Sequence, residues 1–137
     1  MAERLRVFKN TWFQRFARKE RIADAALCQA VTRANKGLID ADLGGGLIKQ
    51  RVARPGGGRS SGYRTLIFFR ARRRAIFAFG FAKNVQGNID SDDEADLRKA
   101  AKLALGFSDA EIDRLVASGA LMEIDCDDKA EAHKDVP

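Results

Sequence analysis

Apolar positions along this chain follow two different periods, helical toward both ends and strand-like in the middle. Leu5–Asn10 (LRVFKN) reads as a short first strand. Thr11 and Gln14 then stand at capping-box spacing, where a hydroxyl and an amide satisfy the free donors of a helix start, predicting a short helix over about Trp12–Arg18. From Glu20 onward, Ile22, Ala23, Ala26, Leu27, Ala30, Val31 and Ala34 fall on one stripe at the 3,4 spacing of an amphipathic helix. That helix should stop near Lys36-Gly37, where glycine provides a left-handed cap.

The middle changes period. Gly46–Val52 (GLIKQRV), Gly62–Arg70 (GYRTLIFFR) and Ala75–Lys83 (AIFAFGFAK) are strand-like, the last two rich in aromatic and β-branched residues. A glycine-rich loop, Arg54–Gly62, joins the first pair, and the short ARRR link, Ala71–Arg74, joins the second as a hairpin without an Asn-Gly turn. After Gly87 the helical period returns. Ser91 with Glu94 and Ser108 with Glu111 form two further capping boxes, predicting helices near Asp92–Leu105 and Asp109–Ala117, each followed by a glycine stop. The predicted order is β-α-α-β-β-β-α-α, an α+β arrangement around a mostly antiparallel sheet. One domain is expected over residues 1–120, with 121–137 as an acidic tail that is flexible, fraying from Glu123 to Pro137.

Length and composition agree with one globular domain: 137 residues, 45% of them hydrophobic. No apolar run reaches the roughly 18 to 20 residues needed to span a bilayer, and the charged N-terminus lacks the apolar stretch of a secretory signal. Cys28 lies in an apolar helical pattern and Cys126 in the acidic tail. This distance in sequence favours two thiols in a reducing cytosol over a disulfide or metal pair. A cytoplasmic location is therefore expected.

Charge changes the picture most. The net charge of +6 divides into 19 Lys and Arg against 5 Asp and Glu over residues 1–87, and 6 against 14 over residues 88–137. A body this basic suits a polyanion, most often nucleic acid. The acidic end is either solubilising or a cover for the basic face.

The stretch Leu47–Arg64 carries Lys49, Arg51, Arg54, Arg59 and Arg64 and no acidic residue. Alternation along a strand sends Lys49 and Arg51 to one face. Arg64 lies on the next strand and Lys83 at the end of the last. Four cations converging on an open sheet face fit phosphate, since arginine offers a planar fork and lysine a compact charge. Basic strand residues can also form a merely solvated face, but the near-absence of acids between Leu43 and Gly87 argues for a ligand. Arg72, Arg73 and Arg74 are either a nucleic-acid clamp or a charged hairpin tip that protects a sheet edge. Phe77, Phe79 and Phe81 alternate and suit core packing, with Phe81 nearest the proposed site. Tyr63 also suits packing.

Several chemistries are disfavoured. The single histidine, His133, sits in the tail. No Cys/His cluster has zinc spacing, neither GGG run carries the lysine of a phosphate loop, and Asn88–Asp96 (NIDSDDEAD) fits a helix start better than a calcium loop.

At LIKQRV, GYRTLIF and AFGFAKN the order of strands and basic residues resembles the RelE/ParE superfamily of bacterial toxins, most closely its RelE-type branch, over about Leu5–Leu105. The resemblance implies a small antiparallel-rich sheet with two N-terminal helices on one side and C-terminal helices, holding RNA on a concave face. It implies the toxin of a type II toxin-antitoxin system: a ribosome-dependent endoribonuclease that cleaves mRNA, restrained by a cognate antitoxin. Carried over, the catalytic positions are Lys49, Arg51, Arg64 and Lys83. The RNA-binding positions are Arg54, Arg59, Arg72, Arg73, Arg74, Phe81, Asn84 and Asn88. Members commonly place a ring shortly after the last strand. Here VQGNID has none, leaving Phe81 or Asn88 to substitute, and the long glycine-rich loop is a second departure.

The implied chemistry uses no metal or other cofactor. The RNA 2′-hydroxyl attacks the adjacent phosphorus, leaving a 2′,3′-cyclic phosphate and a 5′-hydroxyl. Arg51 and Arg64 suit charge stabilisation on the phosphorane, and Lys83 suits protonation of the leaving oxygen. Lys49 is the candidate base, provided neighbouring arginines ease its deprotonation. The expected partners are the antitoxin and the mRNA-loaded ribosome, not a membrane, with a homodimer or a toxin–antitoxin hetero-oligomer as the assembly. A ParE-like inhibitor of DNA gyrase and a non-catalytic nucleic-acid-binding module are the alternatives.

Overall fold

The computed structural model describes residues 5–53, 62–82 and 89–126. Its elements run β1 (Arg6–Asn10), α1 (Thr11–Glu20), α2 (Asp24–Asn35), β2 (Ala41–Gly44), β3 (Leu47–Val52), β4 (Tyr63–Arg70), β5 (Arg74–Ala82), α3 (Ser91–Leu105), α4 (Asp109–Ala117) and β6 (Leu121–Ile124). The strands form one sheet in the order β2-β3-β4-β5-β1-β6, antiparallel throughout except for the β1–β5 pair. The α+β expectation therefore holds, with helices at both ends of the sequence.

Each face of the sheet has its own core. On one, α1 and α2 place Phe13, Ala17, Leu27, Ala30 and Val31 against Ile48, Val52, Ile67 and Phe77. On the other, α3 and α4 place Ala101, Leu105 and Ile112 against Phe8, Leu47, Leu66, Phe68 and Ile76. Gly80 allows the close approach of α1, because a Cβ there would lie 2.9 Å from the Phe16 ring and 3.2 Å from that of Phe13.

The three helices with a predicted capping box begin within one residue of the predicted positions, but only one of the three boxes forms. Ser108 and Glu111 close the expected capping box at α4. The first helix is capped instead by Asn10, whose side chain accepts from the Phe13 N–H at 2.8 Å and donates to Ala78 O at 3.2 Å. Asn10 thus ends a strand, starts a helix and ties both to β5. At α3 the cap is Asp90, without a side-chain cap hydrogen bond, and Asp92, Asp93 and Glu94 in the first turn complement the positive end of the helix dipole instead.

Three further expectations are corrected. Ala41–Gly44 forms the short edge strand β2, absent from the sequence reading because four residues ending in glycine carry little strand pattern. Leu121–Ile124 forms β6 and pairs antiparallel with β1, so fraying does not begin at Glu123. Glu123 also holds Arg6 at 3.0 Å, joined by Asp113 at 2.9 Å. The remainder of the expected tail, 127–137, lies outside the described residues. Finally, Cys28 and Cys126 are joined in a disulfide across 98 residues of sequence. The expectation of separate thiols fails because pairing depends on spatial proximity: β6 carries Cys126 to the side of α2, where the two Cα atoms stand 5.3 Å apart.

Candidate nucleic-acid interface

Side-chain alternation and strand register assemble the basic surface. β3 and β4 place Arg51 directly opposite Arg64 and Lys49 opposite Leu66. β5 continues the rows, with Phe81 opposite Arg64 and Phe79 opposite Leu66. All six therefore share the sheet face on which α3 and α4 pack. Leu66 and Phe81 are buried there, whereas Lys49, Arg51, Arg64 and Phe79 are partly exposed.

The two arginines differ in their surroundings. Arg51 lies on the edge of β3 beyond its pairing with β2, and Asp40 completes that edge. One Asp40 carboxylate oxygen accepts from the Arg51 backbone N–H at 2.7 Å and stands 3.8 Å from its guanidinium. Arg33 of α2 donates to the Arg51 carbonyl at 2.6 Å and lies 3.8 Å from the same carboxylate. Side chains thus replace the missing strand, and a cavity of about 320 Å³ opens beside them between Gln29, Arg33, Arg51 and Val52. Asp40 was not foreseen as a partner because it precedes the acid-free stretch that drew attention to the site. Arg64 has no carboxylate beside it among the described residues, and its Nη1 is buried without a hydrogen bond.

The structure therefore brings Lys49, Arg51 and Arg64 together. It does not bring the hairpin arginines to them. Ala71–Arg73 turns at the opposite end of β4 from Arg64, six strand positions or roughly 20 Å away. Arg72 adopts a left-handed conformation (φ 61°) at this turn and, like Arg73, is exposed. Arg74 is corrected as an RNA contact. It is only 6% exposed, and its guanidinium donates to Ala104 O at 2.9 Å, Phe107 O at 3.0 Å and Asp109 at 3.1 Å. It is a buried fastener between β5 and the α3–α4 connection.

Phe81 is likewise corrected as an RNA contact, while its expected core packing holds. It is 5% exposed and belongs to the α3–α4 core with Ile89. The expected Phe77–Phe79–Phe81 alternation is broken by a bulge between the partners of Leu66 and Ile67. Phe77 consequently faces α1, while Phe79 and Phe81 face the other way. Tyr63 is buried as expected, its hydroxyl donating to Glu20 at 3.1 Å. Arg54, Arg59, Lys83, Asn84 and Asn88 lie outside the described residues.

With this geometry in place, the chain matches the family model described as RelE toxin of the RelE/RelB toxin-antitoxin system, over residues 5–124. The chain belongs to the RelE toxin family, and is the toxin of a toxin-antitoxin system. That membership implies a cognate RelB-type antitoxin. No curated protein sequence matches the chain. Among the described residues, no helix is long and apolar enough to cross a membrane.

Proposed function

We propose that this toxin is a ribosome-dependent endoribonuclease that cleaves mRNA through attack of the 2′-hydroxyl on the adjacent phosphorus. The observation that carries the reading is the pairing of Arg51 with Arg64 across β3 and β4, with Lys49 on the same face. Two like charges held directly opposite each other disfavour the sheet, and a phosphate between them would reverse that cost. Family membership supports the nuclease class.

In this reading the RNA phosphate sits over the Arg51–Arg64 pair, where fixed donors stabilise the charge that develops on its non-bridging oxygens. Lys49 removes the proton from the 2′-oxygen, that oxygen forms its bond to phosphorus, and the bond to the 5′-oxygen breaks. Lys83 is assigned the proton for the leaving oxygen. The products are a 2′,3′-cyclic phosphate and a 5′-hydroxyl. The ribosome contributes alignment of the mRNA, which lowers the demand on proton transfer. The toxin is proposed to act in the cytoplasm.

The test is 5′-end mapping of a reporter mRNA in bacteria after induction of the toxin, beside Arg64→Ala. New ends within translated codons, dependent on translation and absent with the variant, are expected. Growth arrest without new ends would overturn the reading in favour of gyrase inhibition. RNA binding without cleavage would reduce the site to a non-catalytic grip.

A further inference from the structure

Three large apolar side chains are exposed among the described residues, and Trp12 is the aromatic one, 37% exposed. Water contact on an indole is unfavourable, so its location matters. β1 ends at Asn10, whose amide bonds to Ala78 O, while β5 continues past it. Trp12 occupies the ground that the next residues of β1 would have covered. Its ring stands 4.5 Å from that of Phe79 and 5.3 Å from that of Phe16, nearly parallel to the latter. Phe79 in turn stands 6.3 Å from Phe81, the cross-strand neighbour of Arg64. A line across the sheet therefore reads Lys49, Leu66, Phe79, Trp12, beside a second line of Arg51, Arg64, Phe81.

The charge continues beyond the ring. On α1, Arg15 and Lys19 follow Trp12 at three and seven residues, the spacing of one helix face, and both are exposed. Neither has a carboxylate partner among the described residues, in contrast to Arg6, Lys9, Arg51, Arg74 and Arg98. An exposed ring between two cationic segments is the arrangement that holds single-stranded nucleic acid, with a base against the ring and phosphates on the charges.

We infer that Trp12, backed by Phe79, is a base-contacting ring for single-stranded RNA, and that Arg15 and Lys19 extend the RNA path from the sheet onto α1. The inference rests on the RNA-binding reading of the basic face and adds the direction in which the strand leaves it. It also supplies, from the N-terminal helix, a ring that the segment following β5 lacks in sequence.

Trp12 is the single tryptophan of the chain, so intrinsic emission reports on this position alone. The full-length toxin is titrated at low salt with a short unstructured RNA oligomer, following tryptophan emission and the anisotropy of the labelled oligomer together. Emission should change in step with anisotropy. Trp12→Leu, which keeps an apolar side chain but removes the ring, should weaken binding roughly tenfold or more, and Trp12→Phe should restore most of the loss. Arg15→Gln/Lys19→Gln should weaken binding and flatten its salt dependence. Thermal melts of each variant separate loss of contact from loss of fold. Binding that needs Arg64 but leaves the emission unmoved and the Trp12→Leu affinity unchanged would overturn the inference and leave the basic-face reading standing. Failure of the toxin to bind the oligomer would overturn the inference as well, while 5′-end mapping decides the ribonuclease reading separately.

Discussion

Arg51 and Arg64 face each other across two hydrogen-bonded strands, but among the described residues only Arg51 has a carboxylate, that of Asp40, at 3.8 Å. Arg64 keeps a buried Nη1 without a hydrogen bond. A donor left unsatisfied in this way costs stability, which natural proteins retain at binding sites. Arg64→Met should therefore hold or raise the melting temperature while reducing mRNA cleavage by at least about 100-fold, the loss expected for one donor to a developing oxyanion. Thermal melts and end mapping on the same preparation check both halves. A destabilised Arg64→Met would show that the guanidinium is structural.

The converse is expected at Arg74. Its guanidinium is buried and fastens β5 to the carbonyls of Ala104 and Phe107 and to Asp109. Arg74→Ala leaves those acceptors without their donor, which should cost about 3 kcal/mol. Arg72→Ala/Arg73→Ala, at the exposed turn, should change stability by less than about 0.5 kcal/mol. Urea unfolding separates the two, and equal effects would contradict the burial difference.

These contrasts show what was legible in the sequence. Strands β3, β4 and β5 were, because β-branched and aromatic residues reveal a strand wherever it lies. That Lys49 and Arg51 share a face followed from alternation, whereas the placement of Arg64 beside them depends on the β3–β4 register. Burial of Arg74 was not legible, since a triple arginine looks the same whether its last member points to water or to two helix-end carbonyls. The phase of Phe77, Phe79 and Phe81 was lost to a bulge that no residue type marks. Trp12 and the Cys28–Cys126 pair were missed because each meets its partner through tertiary packing between elements far apart in the chain, and Asp40 because it lies just before the acid-free stretch, 11 residues from Arg51.

The disulfide makes stability dependent on redox state. It closes a loop of 98 residues, which by loop entropy should stabilise the fold by about 4.7 kcal/mol. Reduction with dithiothreitol should lower the urea midpoint of the wild type and leave Cys28→Ser/Cys126→Ser unmoved at the lower value. Equal midpoints for oxidised and reduced wild type would mean that β6 and α2 hold their places without the bond.

Part of the acid dependence should trace to the α4 cap. Glu111 is held below the usual carboxylate value of 4.5, first by its hydrogen bond from the Ser108 backbone N–H, then by the Ser108 hydroxyl, with Arg114 nearby. A depressed folded-state value means the unfolded chain binds the proton first as pH falls. The contribution is therefore present above 4.5 and lost as pH falls through the lower folded value. Glu111→Gln should flatten the stability profile in that range and leave its slope at neutral pH unchanged. An unchanged acid slope would assign the acid sensitivity to other carboxylates.

Truncation at the acidic end needs to respect β6. Removing residues from Glu123 onward would delete the Arg6 ion pair, half of β6 and Cys126 together, so lost activity would then report a lost fold. Ending the chain after Cys126 removes 127–137, with four acidic and two basic residues. If those acids screen the basic face, RNA affinity should rise two- to fivefold at low salt and the gain should vanish at high salt, where charge effects beyond about 3 Å are screened at 1 M. Titration of both chain lengths at two salt concentrations checks this. A gain that persists in high salt would point to a steric cover, and no gain at either salt would leave the acidic segment a role in solubility alone.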